Sequence, residues 1–248
     1  MKKRGERKAQ VYLFIAIAVV LIGFIIIIIL LGQSKLPRPD KQDDISEVYE
    51  QMSACIEQRA LDSINIVGLQ GGYITLPENS IVTNISVIAY GLQDKKNILP
   101  SKKQIGKEIE NYIDATVIFC MNEQNFPNLK IKKGTPSSSV TINQNAVNIR
   151  VDFPLSLLKG ERTIVLDNTY EYNMPIRLGK IHDTADTIIE KQIQEKNYVS
   201  LTFLQSFDVD VTLLFIDETT VLYVITDRQS LIEEEVSYSF VFAAEVKE

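Results

Sequence analysis

Histidine and cysteine are scarce in this chain of 248 residues, which has one histidine, His182, and two cysteines, Cys55 and Cys120. A zinc site takes three or four Cys, His or carboxylate ligands, and a Ser-His-Asp triad needs a histidine beside its nucleophile. The sequence also contains no G-x-S-x-G and no H-E-x-x-H segment. It therefore predicts no catalytic residues, no metal site and no cofactor.

Glycine is sparse too, with 11 residues, and three of them lie close together in Gly68-Leu69-Gln70-Gly71-Gly72. This segment lacks the lysine of a phosphate-binding loop and the glycine spacing of a dinucleotide-binding loop. Glycine adopts positive φ angles without steric cost. We therefore expect a tight turn that joins a helix to a strand.

The lone histidine lies beside Asp183 and one helical turn from Asp186. A general base needs a substrate-facing cleft as well as a carboxylate partner, and nothing else in the sequence points to a cleft. We expect His182 to be a solvated residue on a helix surface.

Two acidic clusters raise the question of calcium. Asp208 and Asp210 lie near each other, and Glu233-Glu234-Glu235 form an acidic run. Their spacing matches no calcium-binding loop. We expect the run to be a charged turn before the last strand.

Residues 11–31 are apolar at every position except Gly23. As a helix rising about 1.5 Å per residue, this segment spans roughly 31 Å, close to the thickness of the hydrocarbon core of a bilayer. It is longer than the apolar part of a secretory signal, and no A-x-A cleavage pattern follows it. The segment predicts a transmembrane helix, with the lipid bilayer as its partner.

The charge distribution predicts the orientation. Five of the 26 basic residues, but one of the 32 acidic residues, lie in the first ten positions. Basic flanks stay in the cytoplasm, so residues 1–10 are a cytoplasmic stub and 32–248 face outward. Residues 32–44, with two prolines, are expected to be a linker to an extracytoplasmic domain at 45–248. The acidic remainder argues against binding to nucleic acid.

Two helices are predicted to carry the cysteines. From Ile45 onward, apolar residues recur at helical spacing through Cys55 to position 64. A second helix is expected after Ser101, its N-cap, with a buried stripe from Ile105 to Cys120. Two cysteines in an oxidising compartment favour a disulfide, although two separate buried thiols are the alternative.

The rest of the chain predicts one more helix and a series of strands. The helix is expected at 176–196. Strands are expected at 73–76, 81–90, 129–133, 140–143, 146–153, 162–173, 199–203, 209–216, 221–226 and 236–243. Because most strands follow one another directly, the fold class is α+β: a transmembrane helix, then an antiparallel sheet with about three packed helices.

One glycosylation sequon is present, Asn84-Ile85-Ser86. Asn84 is therefore a possible glycan acceptor in an exported domain.

Lys8-Ala9-Gln10-Val11 lies directly before the predicted apolar helix. This segment resembles the class III signal of archaeal type IV pilin-like proteins. It implies cleavage between Ala9 and Gln10 and assembly of the helix in a filament core. The order of a cysteine helix, a Q-G-G turn and a second cysteine helix also resembles uncharacterised archaeal single-pass membrane-anchored proteins.

The sequence is consistent with three functions. The first is a non-enzymatic cell-surface protein, anchored in the membrane, that acts as a binding or scaffold module and meets other envelope proteins or itself. The second is a pilin-like filament subunit. The third is an envelope hydrolase or ligand sensor, which would depend on His182.

Overall fold

The structure is a computed structural model that describes residues 43–83, 86–121, 124, 126–127, 129–159, 162–166, 169–195, 199–233 and 235–246. The predicted transmembrane helix, residues 32–42 of the predicted linker 32–44, Ala9, Gln10 and Asn84 lie outside these residues. Within the described ranges, no helix combines the length and the apolar character that crossing a bilayer requires. The chain divides into two compact units, Met1–Glu47 and Val48–Glu248. The first unit is described only from residue 43, and the account below concerns the second.

The described residues form a mixed α+β fold, as the sequence predicts. The helices are α1 (Asp43–Leu69), α2 (Lys102–Thr116), α3 (Leu178–Gln194) and the short α4 (Leu201–Leu204), with a 3₁₀ turn at Val117–Phe119. The strands are β1 (Ser80–Val82), β2 (Val87–Gln93), β3 (Lys96–Asn97), β4 (Lys130–Lys133), β5 (Ser137–Ile142), β6 (Val147–Asp152), β7 (Leu155–Lys159), β8 (Arg162–Val165), β9 (Thr169–Met174), β10 (Asp210–Phe215), β11 (Thr220–Glu233) and β12 (Val236–Glu245).

The strands form three sheets rather than one. The largest has the order β1-β2-β12-β11-β10, with β3 paired to β2. The other two have the orders β4-β7-β8 and β5-β6-β9. Neighbouring strands are antiparallel, as predicted, except that β12 and β2 run parallel. β2 lies early in the chain and β12 at its end, and the long connection between them makes a parallel pairing possible.

The helix predicted from Ile45 is confirmed and begins at Asp43. Its buried face has the predicted spacing, with fully buried Val48, Met52, Ile56, Ala60 and Ile64. Fully burying one such aliphatic side chain stabilises a fold by about 1.5–3 kcal/mol. This face, rather than intrinsic helix propensity, therefore fixes where α1 lies.

The second predicted helix is also confirmed, as α2 with Ser101 at its N-cap. The Ser101 hydroxyl accepts from the backbone N–H of Gln104, and the Gln104 side chain accepts from the backbone N–H of Ser101 at 2.8 Å. This reciprocal capping box satisfies two helix N–H groups that would otherwise lack a partner. Cys120 directly follows the 3₁₀ turn that extends α2. The predicted helix therefore continues to Cys120 as a 3₁₀ turn and not as α-helix.

The predicted disulfide is present and joins Cys55 of α1 to Cys120. Cys120 is 5% exposed, so this end of the bridge lies in the interior. The bridge closes a loop of 65 residues. Cross-linking a loop of that length stabilises the folded state by about 4 kcal/mol on the chain-entropy account.

Several strand predictions are wrong for local reasons. Residues 73–76 form no strand, because the N–H groups of Ile74 and Thr75 donate to the Glu108 side chain at 3.0 and 2.8 Å. Residues 199–203 contribute instead to α4, whose N-cap, Ser200, accepts from the backbone N–H of Phe203 at 3.2 Å. In both places polar side chains bind backbone groups that a strand would give to a neighbour.

Two other strands differ in extent from the prediction. The segment 81–90 is two strands, β1 and β2, because Thr83 and Ser86 form a turn in which the N–H of Thr83 donates to the Ser86 carbonyl at 2.9 Å. The strand β7 was not predicted. It begins directly after Pro154, and it pairs both with β4, more than 20 residues earlier in the chain, and with the next strand, β8.

The glycine turn after α1 is confirmed. Gly71 and Gly72 have φ angles of +71° and +95°, and the N–H of Gly72 donates to the Val67 carbonyl at 2.7 Å. A Cβ at Gly72 would lie 2.5 Å from the Pro100 ring. The turn leads into an irregular segment and not, as predicted, directly into a strand.

Two helical glycines are expected to respond in opposite ways to the same substitution. A Cβ at Gly68 of α1 would lie 2.5 Å from the Ser239 carbonyl, whereas a Cβ at Gly106 of α2 would lie 3.5 Å from the Val140 carbonyl. We expect Gly68→Ala to lower the free energy of unfolding by about 1–3 kcal/mol through overpacking. Gly106→Ala should raise it by about 0.5–1 kcal/mol, since alanine favours a helix. Denaturant unfolding of the two variants measures both effects, and a stabilised Gly68→Ala protein would contradict the close packing of α1 on β12.

Candidate functional site

The strongest concentration of charge in the described structure surrounds Arg177, the residue immediately before α3. Its guanidinium forms a two-pronged ion pair with Asp227 of β11, with Nε 2.7 Å from Oδ2 and Nη2 bonded to Oδ1. The Asp227 side chain is 1% exposed and the Arg177 side chain 12% exposed. A buried carboxylate is tolerated only when it is paired and hydrogen-bonded. Asp227 therefore needs further hydrogen-bond donors besides Arg177.

A bulge in β11 supplies those contacts. The register between β11 and β12 shifts after Asp227, so that Leu231 is the next residue paired. Residues 228–230 are not paired with β12, and two of their hydrogen-bond donors point toward the Asp227 carboxylate. The N–H of Gln229 donates to Oδ1 at 3.1 Å, and the Ser230 hydroxyl donates to Oδ2 at 2.5 Å. Ser230 also accepts from the backbone N–H of Arg177 at 2.9 Å.

These hydrogen bonds determine the charge state of the pair. Burial by itself raises the pKa of Asp227, but the donors Arg177, Ser230 and the N–H of Gln229 outweigh it and hold the pKa below its usual value. The hydrogen bond to Asp227 is the main cause of the raised pKa of Arg177. Both groups are therefore ionised at neutral pH.

A cavity of about 290 Å³ opens beside this pair, between the start of β10 and the bulge. Asp208 lies at its rim and bridges two cations, accepting from Arg177 Nη1 at 3.1 Å and from Lys180. On the other side, Arg228 pairs with Asp210 at 2.5 Å. The cavity is therefore lined by alternating charges, a lining suited to polar rather than apolar contacts.

Chemically, the cluster is better suited to holding parts of the fold than to proton transfer. Both oxygens of Asp227 accept from the chain's own donors, and the cations Arg177, Lys180 and Arg228 each have a carboxylate partner. The cluster ties the start of α3 to β11 and to the loop before β10. We call Arg177, Asp208, Asp227 and Ser230 the α3–β11 clamp.

A second cavity, of about 430 Å³, lies on the outer face of the sheet β5-β6-β9. Its lining is polar and includes Ser139, Thr141, Asn148, Arg150, Glu171 and Asn173. Arg150 binds Glu171 at 2.6 Å and Asp152 at 3.2 Å. This face is exposed to solvent, and its cation, Arg150, is paired with the carboxylates of Asp152 and Glu171. None of the lining side chains named here is a buried polar group that points into the cavity.

His182 is buried rather than solvated, so the expectation for it is wrong. Its side chain is 11% exposed, and Nε2 donates to the Pro100 carbonyl at 2.8 Å. Nδ1 is buried, lies 3.6 Å from Asp183 Oδ1, and receives no hydrogen bond from the described residues. The sequence predicted an exposed histidine because it does not show that the loop before α2 covers this face of α3.

The neighbours of His182 are occupied as well. Asp183 accepts from Lys102 at 2.7 Å and from Gln144 at 2.6 Å. Burial alone raises the pKa of Asp183, but these two donors outweigh it and lower the pKa below its usual value. Asp186 accepts from Asn97 at 2.8 Å. The imidazole is a contact between α3 and the loop before α2, with no nitrogen facing open space.

The remaining predicted residues lie apart. Asp208 and Asp210 bind different cations, and no group of three or more His, Cys, Asp or Glu side chains among the described residues is arranged to hold a metal. Glu233 ends β11, and Glu235 has a φ of +71° directly before β12, so these two residues of the acidic run lie at the predicted turn before the last strand. Ala9, Gln10 and Asn84, as noted above, are not described.

The clamp was missed at the sequence level. Arg177 and Asp227 are 50 residues apart, and neither belongs to a recognisable motif. The one usable signal is Asp227 itself, a carboxylate that follows the apolar run 221–225 in β11. A charged residue shortly after an apolar run within a strand implies a partner, but the sequence does not say which one.

Comparison of the chain with protein-family models, with curated proteins and with solved structures finds no match. Functional reasoning therefore rests on the sequence and the geometry above.

Replacing the buried carboxylate should weaken the fold in a pH-dependent way. Asp227→Asn removes the buried counter-charge of Arg177 and leaves it only the exposed Asp208, so we expect the free energy of unfolding at pH 7 to fall by about 3–5 kcal/mol. Because the folded-state pKa of Asp227 lies below its unfolded value of about 3.9, the contribution is complete above that pH and is lost as pH falls through the folded-state pKa. The difference between wild type and variant should therefore shrink below about pH 4.

Urea unfolding between pH 3 and pH 8 measures this difference. Asp210→Asn is the matched control, because Asp210 and its partner Arg228 have side chains 52% and 80% exposed. A solvent-exposed pair contributes less than about 1 kcal/mol. Equal losses from the two variants would contradict the structural role of the clamp.

Proposed function

We propose that the chain is a non-enzymatic membrane-anchored protein whose folded part, 45–248, acts outside the cytoplasm as a binding or scaffold module. In this proposal residues 1–10 stay in the cytoplasm, 11–31 span the bilayer and 32–44 link the span to the domain. The apolar run of 11–31 and the basic residues before it support this arrangement.

The disulfide between Cys55 and Cys120 is the observation that carries the proposal. Disulfides persist in oxidising compartments and are rare where cytosolic reductants act. The bridge would also strengthen an anchored domain against force. It joins α1, the first helix after the proposed linker, to the end of α2, so that a pull on the anchor acts on a cross-linked element.

The contacts of His182 support a non-enzymatic role. Its Nε2 is bonded to the Pro100 carbonyl, and the neighbouring Asp183 is bonded to Lys102 and Gln144. A general base has to reach the proton that it removes. The alternative of an envelope hydrolase or ligand sensor therefore gains no support from the one histidine on which it depended.

The pilin-like alternative rests on Lys8-Ala9-Gln10-Val11 and on the apolar helix that follows. In that version the chain loses its first nine residues and the helix packs with copies of itself. The folded domain would have the same structure in both versions, and the two differ at the amino end.

The compartment can be tested on intact cells that carry the full chain, with a membrane-impermeant amine reagent and peptide mapping. Lys107 has a side chain 65% exposed and should be labelled from outside, whereas Lys2 and Lys3 should stay unlabelled until the cells are opened. A cytoplasmic protein of the same cells serves as the control for leakage. Labelling of Lys107 only after lysis would overturn the extracytoplasmic placement.

The alternative can be tested by the mass of the purified protein's amino terminus. An anchored protein should retain Lys2, with or without Met1, whereas a filament subunit should begin at Gln10. Ala9→Leu is a useful variant, because it removes the small residue before the proposed cut. A chain that begins at Gln10 in wild type but not in this variant would favour the filament subunit over the scaffold.

A further inference from the structure

The edge strand β10 has features that suit it to pairing with another strand. It lies at one end of the largest sheet, and β11 is its one strand partner among the described residues. An edge strand offers a row of backbone N–H and C=O groups to any strand that approaches it. Which residues of β10 offer those groups follows from its register.

The register places three residues with their backbone groups turned outward. The N–H of Ile216 donates to the Thr220 carbonyl at 3.0 Å, so Ile216 and Thr220 form a hydrogen-bonded pair. Hydrogen-bonded and non-hydrogen-bonded pairs alternate along an antiparallel ladder. The register from Asp210 to Phe215 has no irregularity. The backbone groups of Val211, Leu213 and Phe215 therefore point away from β11, toward the edge of the sheet.

The side chains of this strand lack the usual protection of an edge. Natural edge strands are guarded by lysine, proline or a bulge, and residues 210–216 contain none of these. Leu214, Phe215 and Ile216 are 49%, 76% and 43% exposed. The one charge within this range, that of Asp210, is paired with Arg228. The edge is thus apolar and close to neutral.

We propose that β10 pairs in antiparallel fashion with β10 of a second copy of this chain, about a two-fold axis through Leu213. Leu213 then faces Leu213 of the second copy, and Val211 faces Phe215. All three outward residues of each strand exchange backbone hydrogen bonds with the other strand. The largest sheet of one copy is thereby joined to the largest sheet of the other. The inference rests on the proposed scaffold role, which it deepens by naming the partner.

The position of the axis follows from the geometry of the edge. A two-fold antiparallel pair matches residues at equal distances from its centre, and Leu213 is the middle of the three outward residues. An axis at Thr212 or at Leu214 would pair two of the three and leave one outward residue without a partner. The axis at Leu213 also sets Asp210 opposite Ile216, so that no two carboxylates meet within 210–216. Like charges directly opposite would oppose the pairing.

A cysteine on the axis tests the pairing in the full chain, in the membranes of cells that produce it. Hydrogen-bonded residues of an antiparallel pair have Cα atoms about 5.5 Å apart, within the span of a disulfide. Leu213→Cys should therefore give a covalent dimer under mild oxidation, visible on a non-reducing gel. Val211→Cys is the matched control, because the two copies of that residue would lie roughly 14 Å apart along the strands.

Each result of this experiment decides the proposal. A dimer from Leu213→Cys, with at least tenfold less from Val211→Cys, supports it. Equal yields from both variants indicate random collision and overturn it, as does a dimer from neither variant or from Val211→Cys alone. The labelling of Lys107 in the same cells is read separately, so a failed pairing leaves the extracytoplasmic placement standing.

A second variant pair tests the edge itself. Phe215→Lys and Val82→Lys both place a cation at a residue that is 76% exposed, at opposite edges of the same sheet. In the Leu213→Cys background, Phe215→Lys should lower the yield of dimer at least tenfold by giving the strand a guarded edge. Val82→Lys should leave the yield unchanged. Equal effects of the two lysines would overturn the assignment of β10 as the interface.

Discussion

The buried face of α1 is the constraint on which the rest of the domain depends. From Val48 to Ile64 this face excludes water, and the contacts beside it reach different parts of the fold. Tyr172 of β9 donates its hydroxyl hydrogen to the Ser53 carbonyl at 2.8 Å, and Gly68 lies against Tyr238 of β12. Because β9 and β12 belong to different sheets, α1 fixes their relation, and the disulfide at Cys55 makes one of its contacts covalent.

The α3–β11 clamp holds another helix, α3, to the largest sheet by electrostatic means. Arg177 and Asp227 are buried together, and a bulge in β11 supplies the donors that complete the carboxylate's shell. A buried ion pair is weak support for a fold when its remaining hydrogen-bonding groups are unsatisfied. Here the carboxylate accepts four hydrogen bonds, which is why the loss of Asp227 should matter more than the loss of an exposed carboxylate such as Asp210.

The largest sheet contacts α1 and is bonded to the start of α3, and it ends at the edge strand β10. The proposed anchor, the disulfide and the unguarded strand β10 fit one picture, in which copies restricted to a membrane surface meet edge to edge. Main-chain hydrogen bonding along an edge is a known route to protein association. It needs no deep cavity, and the two cavities described above have polar linings whose charges are already paired.

How far the sequence predicted the structure depended on the range of each interaction. Helical spacing from Ile45 and after Ser101 predicted α1, α2 and the faces that carry the cysteines, because the apolar stripe of a helix is local. The turn at Gly71 and Gly72 was visible for the same reason. The split of one expected sheet into three was not visible, since it depends on which distant strands are adjacent.

Local patterns along the chain were enough to predict the α+β class, the apolar segment at 11–31, the N-cap at Ser101 and the two helices that could bring Cys55 and Cys120 together. The folded structure was needed to show that His182 donates to the Pro100 carbonyl, that Arg177 pairs with Asp227, and that β10 lies at an edge. Burial and charge pairing depend on which residues are neighbours in space. For these residues the neighbours lie 50 or more positions away along the chain, or in the order of strands across a sheet.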